Sequence, residues 1–318
     1  MSNIFSAAAN TPLVSVIIPC YNVAGYVERA VNSILNQTCT NLEIWLINDG
    51  STDDTLQKIN AFKDPRINVE SFTENSKKIG AVNNVLKKVK GDFICFQDAD
   101  DFSYPARIEK QLNAFATDPD LGICFTGYNY SSIKDRSAKR IALTDAELRN
   151  EFLSFGLDTK KEEWMPTLCA TMMITKEALQ ATNGYHPYFA GRVAEDIHWV
   201  YRILKYYKGV TVADILYQYC FRAGSFMHVH SCGLNAKYIY SWKLLSKIIY
   251  KDMQQQQDVL APENGLVLKA LELEACEEML VEKTQLVFDT RDIYEKSRSF
   301  KLGRWLLYPW RLIKTIIK

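Results

Sequence analysis

The chain has 318 residues, 47% of them hydrophobic and 24% charged, and a formal net charge of +1 at pH 7. This length can bury a large core without disulfide or metal staples, and the composition excludes a disordered chain. The balanced charge also excludes a strongly basic surface, so we expect no nucleic-acid partner.

The cysteines and the N-terminal residues indicate the compartment. The 8 cysteines form no CxxC pair, and most lie in or beside apolar runs, as reduced core thiols do. Residues 1–10 show no signal-peptide pattern, and no run approaches the roughly 18 apolar residues of a membrane span. We therefore expect a cytoplasmic protein without a membrane-spanning helix.

Residues 11–101 alternate predicted strands with predicted helices. The apolar, β-branched runs that predict strands lie at residues 13–18, 42–47, 67–72 and 93–96. Apolar residues at helical spacing predict helices over residues 27–35, around residues 56–59 and over residues 81–90. This alternation indicates an α/β fold with a Rossmann-like, doubly wound, mostly parallel sheet, whose ligands bind beyond the carboxyl ends of the strands.

An acidic turn follows the fourth predicted strand. Asp98, Asp100 and Asp101 come directly after Phe93–Phe96, and three neighbouring carboxylates repel one another unless a cation neutralises them. Oxygen ligands favour Mg²⁺ or Mn²⁺ over zinc. The alternative interpretation is a surface turn that only caps the helix beginning near Pro105.

Glycine-rich phosphate loops are missing from the sequence. There is neither a GxGxxG nor a GxxxxGK[ST] pattern, although dinucleotide-binding and P-loop enzymes need such glycines for close backbone approach to phosphate. Both classes are therefore disfavoured, and a bound pyrophosphate would instead be neutralised by a metal ion.

The second half of the chain contains a further acidic pair. After a predicted strand at residues 121–126 and a predicted surface loop at residues 131–140, Glu195 and Asp196 begin a helix. Acids in a first helical turn often serve only as partners of the helix dipole. From residue 234 onward the sequence favours helices, which indicates an appended C-terminal helical region.

Four motifs in order resemble those of the inverting glycosyltransferases of family 2. They are VSVIIPCYN at residues 14–22, INDGST at 47–52, FICFQDADD at 93–101 and Ala194-Glu195-Asp196. The resemblance implies a GT-A fold that binds a nucleotide-diphospho-sugar. It also implies a nucleotide-sugar-binding half at residues 11–128, an acceptor-binding half of the same catalytic domain at 129–233, and a C-terminal helical region at 234–318.

The resemblance implies a role for several residues near the donor. Pro19, Tyr21 and Asn22 would line the nucleoside pocket, although a tyrosine such as Tyr21, taken alone, is more commonly an aromatic that covers a sheet edge. Asp49 would accept a hydrogen bond from the base, and an ionised carboxylate can pair with the imide N–H of uracil. The donor is therefore expected to carry UDP.

Further residues are expected around the diphosphate and the acceptor. With the resemblance, Asp196 is the base that takes the proton of the acceptor hydroxyl, and Glu195 orients the acceptor. His228 would complete the metal shell or is instead a core or loop histidine. The remaining expected contacts are Asp98, Asp100, Lys78 and Arg222 with the donor nucleotide, and Asp100 and Asp101 with Mn²⁺ or Mg²⁺.

One segment departs from the family pattern. The family often has a glycine and an Ala-Arg-Asn run before the metal motif, whereas this chain has Lys77 and Ala81-Val82-Asn83. This difference weakens any transfer of phosphate contacts to this segment. Lys77 or Lys78 would then supply the positive charge.

Residues 300–318 interleave five basic residues with aromatic and branched apolar ones. Such a pattern favours peripheral contact with the inner face of a membrane. The alternative is an amphipathic helix docked on the catalytic domain or on a second subunit of an oligomer.

Together these features predict an inverting, metal-dependent transferase of a hexosyl or N-acetylhexosaminyl group. The expected donor is a UDP-sugar, and the expected acceptor is a hydroxyl of a cell-surface glycan or of a lipid-linked carrier. Two alternatives stay open, a nucleotidyltransferase, which has no need of the Glu195-Asp196 pair, and a catalytically silent glycan-assembly protein of the same fold.

Overall fold

A computed structural model describes residues 11–130, 138–139, 142–150, 169–220 and 236–296. In these residues the strands form one sheet with the order β3-β2-β1-β4-β8-β6-β9-β5, and β7 pairs with β6. The strands are β1 (Val14–Cys20), β2 (Leu42–Asp49), β3 (Ile67–Phe72), β4 (Phe93–Phe96), β5 (Phe102–Ser103), β6 (Leu121–Tyr130), β7 (Ala138–Lys139), β8 (Met173–Thr175) and β9 (Lys208–Tyr219).

Helices cover both faces of this sheet and form the C-terminal region. None of the described helices is long and apolar enough to cross a lipid bilayer. They are α1 (Val27–Leu35), α2 (Thr55–Ala61), α3 (Lys77–Leu86), α4 (Arg107–Thr117), α5 (Lys176–Thr182), α6 (Glu195–Leu204), α7 (Ala236–Gln255) and α8 (Gly265–Lys296).

The long pairings in the sheet are parallel. Strands β3, β2, β1 and β4 run parallel to one another, and so do β6 and β9. The short strand β8 lies antiparallel between β4 and β6 and joins the two parallel parts. The predicted α/β fold with a mostly parallel sheet and a helical C-terminal region is confirmed.

The core consists of two apolar layers, one on each face of the sheet. Successive residues of β1 alternate between them, because side chains along a strand point to opposite faces. Val16 and Ile18 pack with α1 and α4, whereas Ile17 packs with α3 and α6. Both layers are buried, which explains why the strands read as continuous apolar runs.

The sequence prediction differs from the structure at several element ends. Helix α3 begins at Lys77 instead of residue 81 and ends at Leu86 instead of residue 90. Part of the predicted loop at residues 131–140 is strand β7, in which Ala138 pairs with Asn129 of β6. Strand β6 extends to Tyr130, so the two predicted halves of the catalytic domain share a strand.

Candidate active site

The predicted acidic turn lies at the carboxyl end of β4, in the middle of the sheet. Asp98 and Asp100 are half-buried, whereas Asp101 is buried. The backbone carbonyl of Asp100 accepts a hydrogen bond of 2.7 Å from Nη2 of Arg29 in α1. The turn therefore presents two of its three carboxylates near the surface.

Asp101 connects the acidic turn to strand β9. Its Oδ2 accepts a hydrogen bond of 2.8 Å from the Tyr217 hydroxyl, and its Oδ1 accepts one of 2.7 Å from the backbone N–H of Cys220. Burial, reinforced by the charges of Asp98 and Asp100, raises the pKa of Asp101 well above its ordinary value. Both oxygens of Asp101 thus accept hydrogen bonds within the chain, and the two more accessible carboxylates of the turn are those of Asp98 and Asp100.

A buried arginine, Arg107, forms hydrogen bonds to residues on either side of the acidic turn, and the sequence analysis did not identify it. Arg107 donates hydrogen bonds of 2.8 Å to the carbonyl oxygen of Phe96 and to the hydroxyl of Ser103. Its guanidinium carbon lies 4.9 Å from the ring centroid of Tyr217. The sequence does show this arginine at the start of the helix that follows the acidic turn. Because arginine side chains are mostly exposed, its burial was not expected from the sequence.

Lys78 forms an ion pair with the acidic turn. Its Nζ lies 3.9 Å from Oδ1 of Asp98. Burial disfavours the charged ammonium, but the charges of Asp98, Glu195 and Asp196 outweigh that effect and raise the pKa of Lys78 well above its ordinary value. Lys78 is therefore paired with Asp98 and lies within electrostatic reach of the predicted base.

The residues that depart from the family pattern each have a defined place in the structure. Lys77, at the position where the family often has glycine, adopts a left-handed backbone with φ of 66°, the conformation that glycine takes at least cost. Val82 is fully buried in the core and is directed away from solvent. Asn83 keeps a structural role, since its side chain exchanges hydrogen bonds of 3.0 and 2.8 Å with the backbone of Tyr185.

Glu195 and Asp196 begin helix α6, as predicted. The preceding residue, Ala194, has φ of 69°, a conformation that costs a non-glycine residue roughly 1 kcal/mol or more. Burial and the charge of Asp196 raise the pKa of Glu195 to about 7. Oδ1 of Asp196 accepts a hydrogen bond of 2.8 Å from the backbone N–H of Ile197.

The predicted nucleoside residues lie at the ends of β1 and β2. Tyr21 is 44% exposed, and Oδ1 of Asn22 accepts a hydrogen bond of 2.8 Å from the backbone N–H of Thr52. Asp49 is buried, and its Oδ1 accepts two hydrogen bonds of 2.8 Å from the backbone and hydroxyl of Ser76. Pro19 pairs in register with Ile47 of β2, so all four predicted residues share one edge of the sheet.

The remaining predicted residues are not placed by the structure. Arg222, His228 and residues 300–318 lie outside the described residues. Within the described part of the chain, no group of three or more His, Cys, Asp or Glu side chains is arranged to hold a metal ion. Mg²⁺ is usually held by one or two carboxylates together with substrate phosphates, and the pair Asp98 and Asp100 fits that donor set.

Comparison with known proteins identifies the family of the chain. The sequence profile of glycosyl transferase family 2 matches residues 15–181. An uncharacterized glycosyltransferase of Haemophilus influenzae is 37% identical over 135 residues, which cover 42% of this chain and 53% of that protein. A chondroitin synthase of Pasteurella multocida is 36% identical over 162 residues, which cover 46% of this chain and 16% of that protein.

Solved structures show the same fold. Residues 1–349 of S. aureus TarS, in complex with UDP-GlcNAc, superpose with a TM-score of 0.60 at 19% identity, covering 90% of this chain and 74% of that one. A mannosyltransferase of Pyrobaculum calidifontis, in complex with GDP-Man and Mn²⁺, superposes with a TM-score of 0.54 at 18% identity, covering 92% and 83%.

The sheet, the acidic turn after its central strand and these superpositions define a GT-A-type glycosyltransferase fold. The family profile covers more than half of the residues, and the chain belongs to glycosyl transferase family 2. Glu195 and Asp196 lie beyond the matched residues, so their roles depend on the geometry of the crevice.

Proposed function

We propose that this protein transfers a sugar, with inversion, from a nucleotide-diphospho-sugar to a hydroxyl group of a glycan. The observation that carries the proposal is the ion pair of Lys78 with the acidic turn, within electrostatic reach of the acidic pair that begins α6. Its ammonium is 3.9 Å from Asp98 in the acidic turn, and the charges of Glu195 and Asp196 act on the same ammonium. The proposed donor-binding turn and the proposed general base would therefore both act near one ammonium, as a single displacement requires.

The donor is proposed to be a UDP-sugar that carries a hexosyl or N-acetylhexosaminyl group. Tyr21 offers an exposed aromatic face to a flat base, and the buried carboxylate of Asp49 can accept from the uracil imide. Pro19 and Asn22 complete this pocket, and Arg222 is proposed to meet the diphosphate. The TarS structure binds UDP-GlcNAc, which supports a uridine donor, whereas the Pyrobaculum mannosyltransferase binds GDP-Man.

The diphosphate is proposed to meet Lys78 and a divalent cation. Asp98 and Asp100 would hold Mn²⁺ or Mg²⁺, and His228 is the proposed further ligand. The cation would neutralise charge on the departing diphosphate. Lys78 would donate to the phosphate oxygens from the side of the crevice that faces α6.

Asp196 is proposed to take the proton of the acceptor hydroxyl. Inversion needs one carboxylate on the face opposite the leaving diphosphate, and general bases of this kind contribute roughly 10² to 10⁴-fold to the rate. The pKa of Glu195, about 7, leaves this side chain partly protonated near neutral pH. Glu195 can therefore donate a hydrogen bond that orients an acceptor hydroxyl.

The acceptor is proposed to be a cell-surface glycan or a lipid-linked carrier. The chondroitin synthase among the relatives supports a polysaccharide acceptor. Peripheral contact of residues 300–318 with the inner face of the membrane would bring the crevice to such a carrier. Co-flotation of the full chain with anionic vesicles, but not with neutral ones, tests this contact, because attraction between bases and anionic lipid is electrostatic.

A panel of nucleotide-sugars tests the donor and the reaction. We expect release of UDP from a UDP-sugar with Mn²⁺ or Mg²⁺ and no release with excess chelator. We also expect UDP to bind more tightly than ADP. In Asp49→Ala the preference for UDP should fall, while the matched exposed variant Asp214→Ala should keep it. Formation of pyrophosphate from UTP and a sugar 1-phosphate, as a nucleotidyltransferase would give, or no product with any nucleotide-sugar, would overturn the proposal.

A further inference from the structure

Helix α8 packs one of its faces against the rest of the described chain. Leu271 and Ala275 are buried in the core cluster that also contains Leu245 of α7. On the same side, Nζ of Lys243 in α7 lies 2.8 Å from Oε2 of Glu282. This face of α8 therefore packs against the rest of the chain through apolar contacts and ion pairs.

The opposite face of α8 is apolar and open to solvent. Leu266, Leu273 and Leu280 are 84%, 67% and 55% exposed, and Val281 and Phe288 are 70% and 59% exposed. At about 100° per residue these side chains fall within one third of the helix circumference, on the side away from the buried face. Large exposed apolar patches mark interaction sites. We name this face the outer stripe, and its exposed members are Leu266, Ala270, Leu273, Glu277, Leu280, Val281, Thr284, Phe288 and Arg291.

The spacing along the outer stripe is typical of helices that pair lengthwise. Leu266, Leu273 and Leu280 follow one another at intervals of seven residues, which is the repeat that keeps one seam facing a partner helix. Both charged members, Glu277 and Arg291, are exposed and lie on either side of Thr284 at equal distance in sequence.

This arrangement is complementary to itself only in one orientation. In an antiparallel pair with its two-fold axis at Thr284, Glu277 of one copy faces Arg291 of the other, and Leu280 faces Phe288. A parallel pair would instead place Glu277 against Glu277 and Arg291 against Arg291, which like charges disfavour.

We propose that the outer stripe of α8 docks on the outer stripe of a second copy of this chain, as an antiparallel helix pair centred on Thr284. Glu277 lies in the middle of the stripe, where an anionic bilayer would repel it but the partner's Arg291 neutralises it. The overlap covers residues 273–295, about 35 Å of helix at 1.5 Å per residue. Interfaces this small are weak, so the dimer is reversible and forms at micromolar concentration.

Sedimentation velocity of the full chain from about 1 to 100 μM tests the pairing. We expect a monomer–dimer equilibrium that Leu280→Lys weakens at least tenfold, since the lysine would face Phe288 of the other copy. Leu266→Lys is the matched control, because Leu266 belongs to the same stripe but lies outside the overlap. Circular dichroism of each variant shows whether α8 is still folded.

The charged residues and the axis residue test the orientation. Glu277→Arg and Arg291→Glu should each weaken the dimer, and the double variant should restore it. In a Cys276→Ser background, Thr284→Cys should form an intermolecular disulfide with oxidant, and Leu266→Cys should not. A monomer at every concentration, or a dimer that Leu280→Lys leaves unchanged, would overturn the proposal. Equal weakening by both lysine variants would overturn the register.

Discussion

The hydroxyl of Tyr217 joins the last part of strand β9 to both ends of the acidic turn. It donates to Oδ2 of Asp101 at 2.8 Å and accepts from the backbone N–H of Asp98 at 3.2 Å. Tyr217 is fully buried, and its ring lies over the guanidinium of Arg107. The shape of the turn therefore depends on residues that are more than a hundred positions apart in the sequence.

The first prediction separates the three aspartates of the turn. Asp101→Asn and Tyr217→Phe should each lower the free energy of unfolding by about 1 to 3 kcal/mol, because each leaves a buried polar group without its partner. Asp100→Asn should instead preserve stability and abolish the response of activity to Mn²⁺. Urea unfolding and manganese titration measure the two effects, and Tyr206→Phe, at an exposed tyrosine, is the matched control.

The reverse pattern would contradict this division. If Asp101→Asn kept the stability of the wild type and lost only the response to Mn²⁺, Asp101 would be a metal ligand. In that case its hydrogen bonds to Tyr217 and Cys220 would be secondary.

The second prediction concerns the base. Asp196→Asn should lower the transfer rate by roughly 10² to 10⁴-fold while the dissociation constant of the donor stays nearly unchanged. Single-turnover kinetics and calorimetry with the UDP-sugar measure the two quantities separately. Loss of donor affinity with a normal rate at saturation would make Asp196 a binding residue.

The sequence predicts the donor half of the fold well, because β1, β2 and β4 are apolar runs buried on both faces. It also places Asp98 after a strand and Asp196 at the start of a helix, and in the structure the charges of both act on Lys78. It misses the first turn of α3, since Lys77 and Lys78 are polar and Lys77 adopts the backbone of a glycine.

Other features depend on tertiary contacts that a local pattern does not contain. The strand β8 has 3 residues, and its pairing partners β4 and β6 come from distant parts of the chain. Arg107 is buried because distant acceptors, such as the carbonyl oxygen of Ala170, surround it. From residue type alone, an arginine is expected at the surface.

The third prediction concerns stability as a function of pH. Burial and the charge of Asp196 raise the pKa of Glu195 from 4.5 to about 7, so the folded chain binds an extra proton between these pH values. The stabilising contribution of protonated Glu195 is therefore complete below about pH 4.5 and is lost as the pH rises through 7. Glu195→Gln should be more stable than the wild type at pH 8, by up to about 3 kcal/mol, with little difference at pH 4.5.

Urea midpoints of the two proteins across this pH range measure the effect. Glu263→Gln is the matched control, because Glu263 is exposed and lies outside the active site and the proposed dimer contact. A constant difference between the wild type and Glu195→Gln at all pH values would mean that Glu195 titrates normally in the folded chain.

The last prediction compares the two neighbouring lysines at the start of α3. Lys78→Met removes the ammonium that lies 3.9 Å from Asp98, so Asp98 loses the cation that is paired with it. We expect Mn²⁺ alone to bind several-fold tighter, because a competing charge is gone, and UDP in the presence of Mn²⁺ to bind about tenfold weaker, because the diphosphate loses a charged donor. Lys77→Gly removes an equal charge from the adjacent exposed residue, and glycine suits its φ of 66°, so both affinities should stay unchanged.

Calorimetric titrations of Mn²⁺ and of UDP measure both dissociation constants for each variant. The two constants are expected to change in opposite directions in Lys78→Met, which distinguishes a specific contact from a general loss of folding. Equal changes in the two variants would mean that only the net charge of the surface matters, and Lys78 would then have no direct contact with the diphosphate.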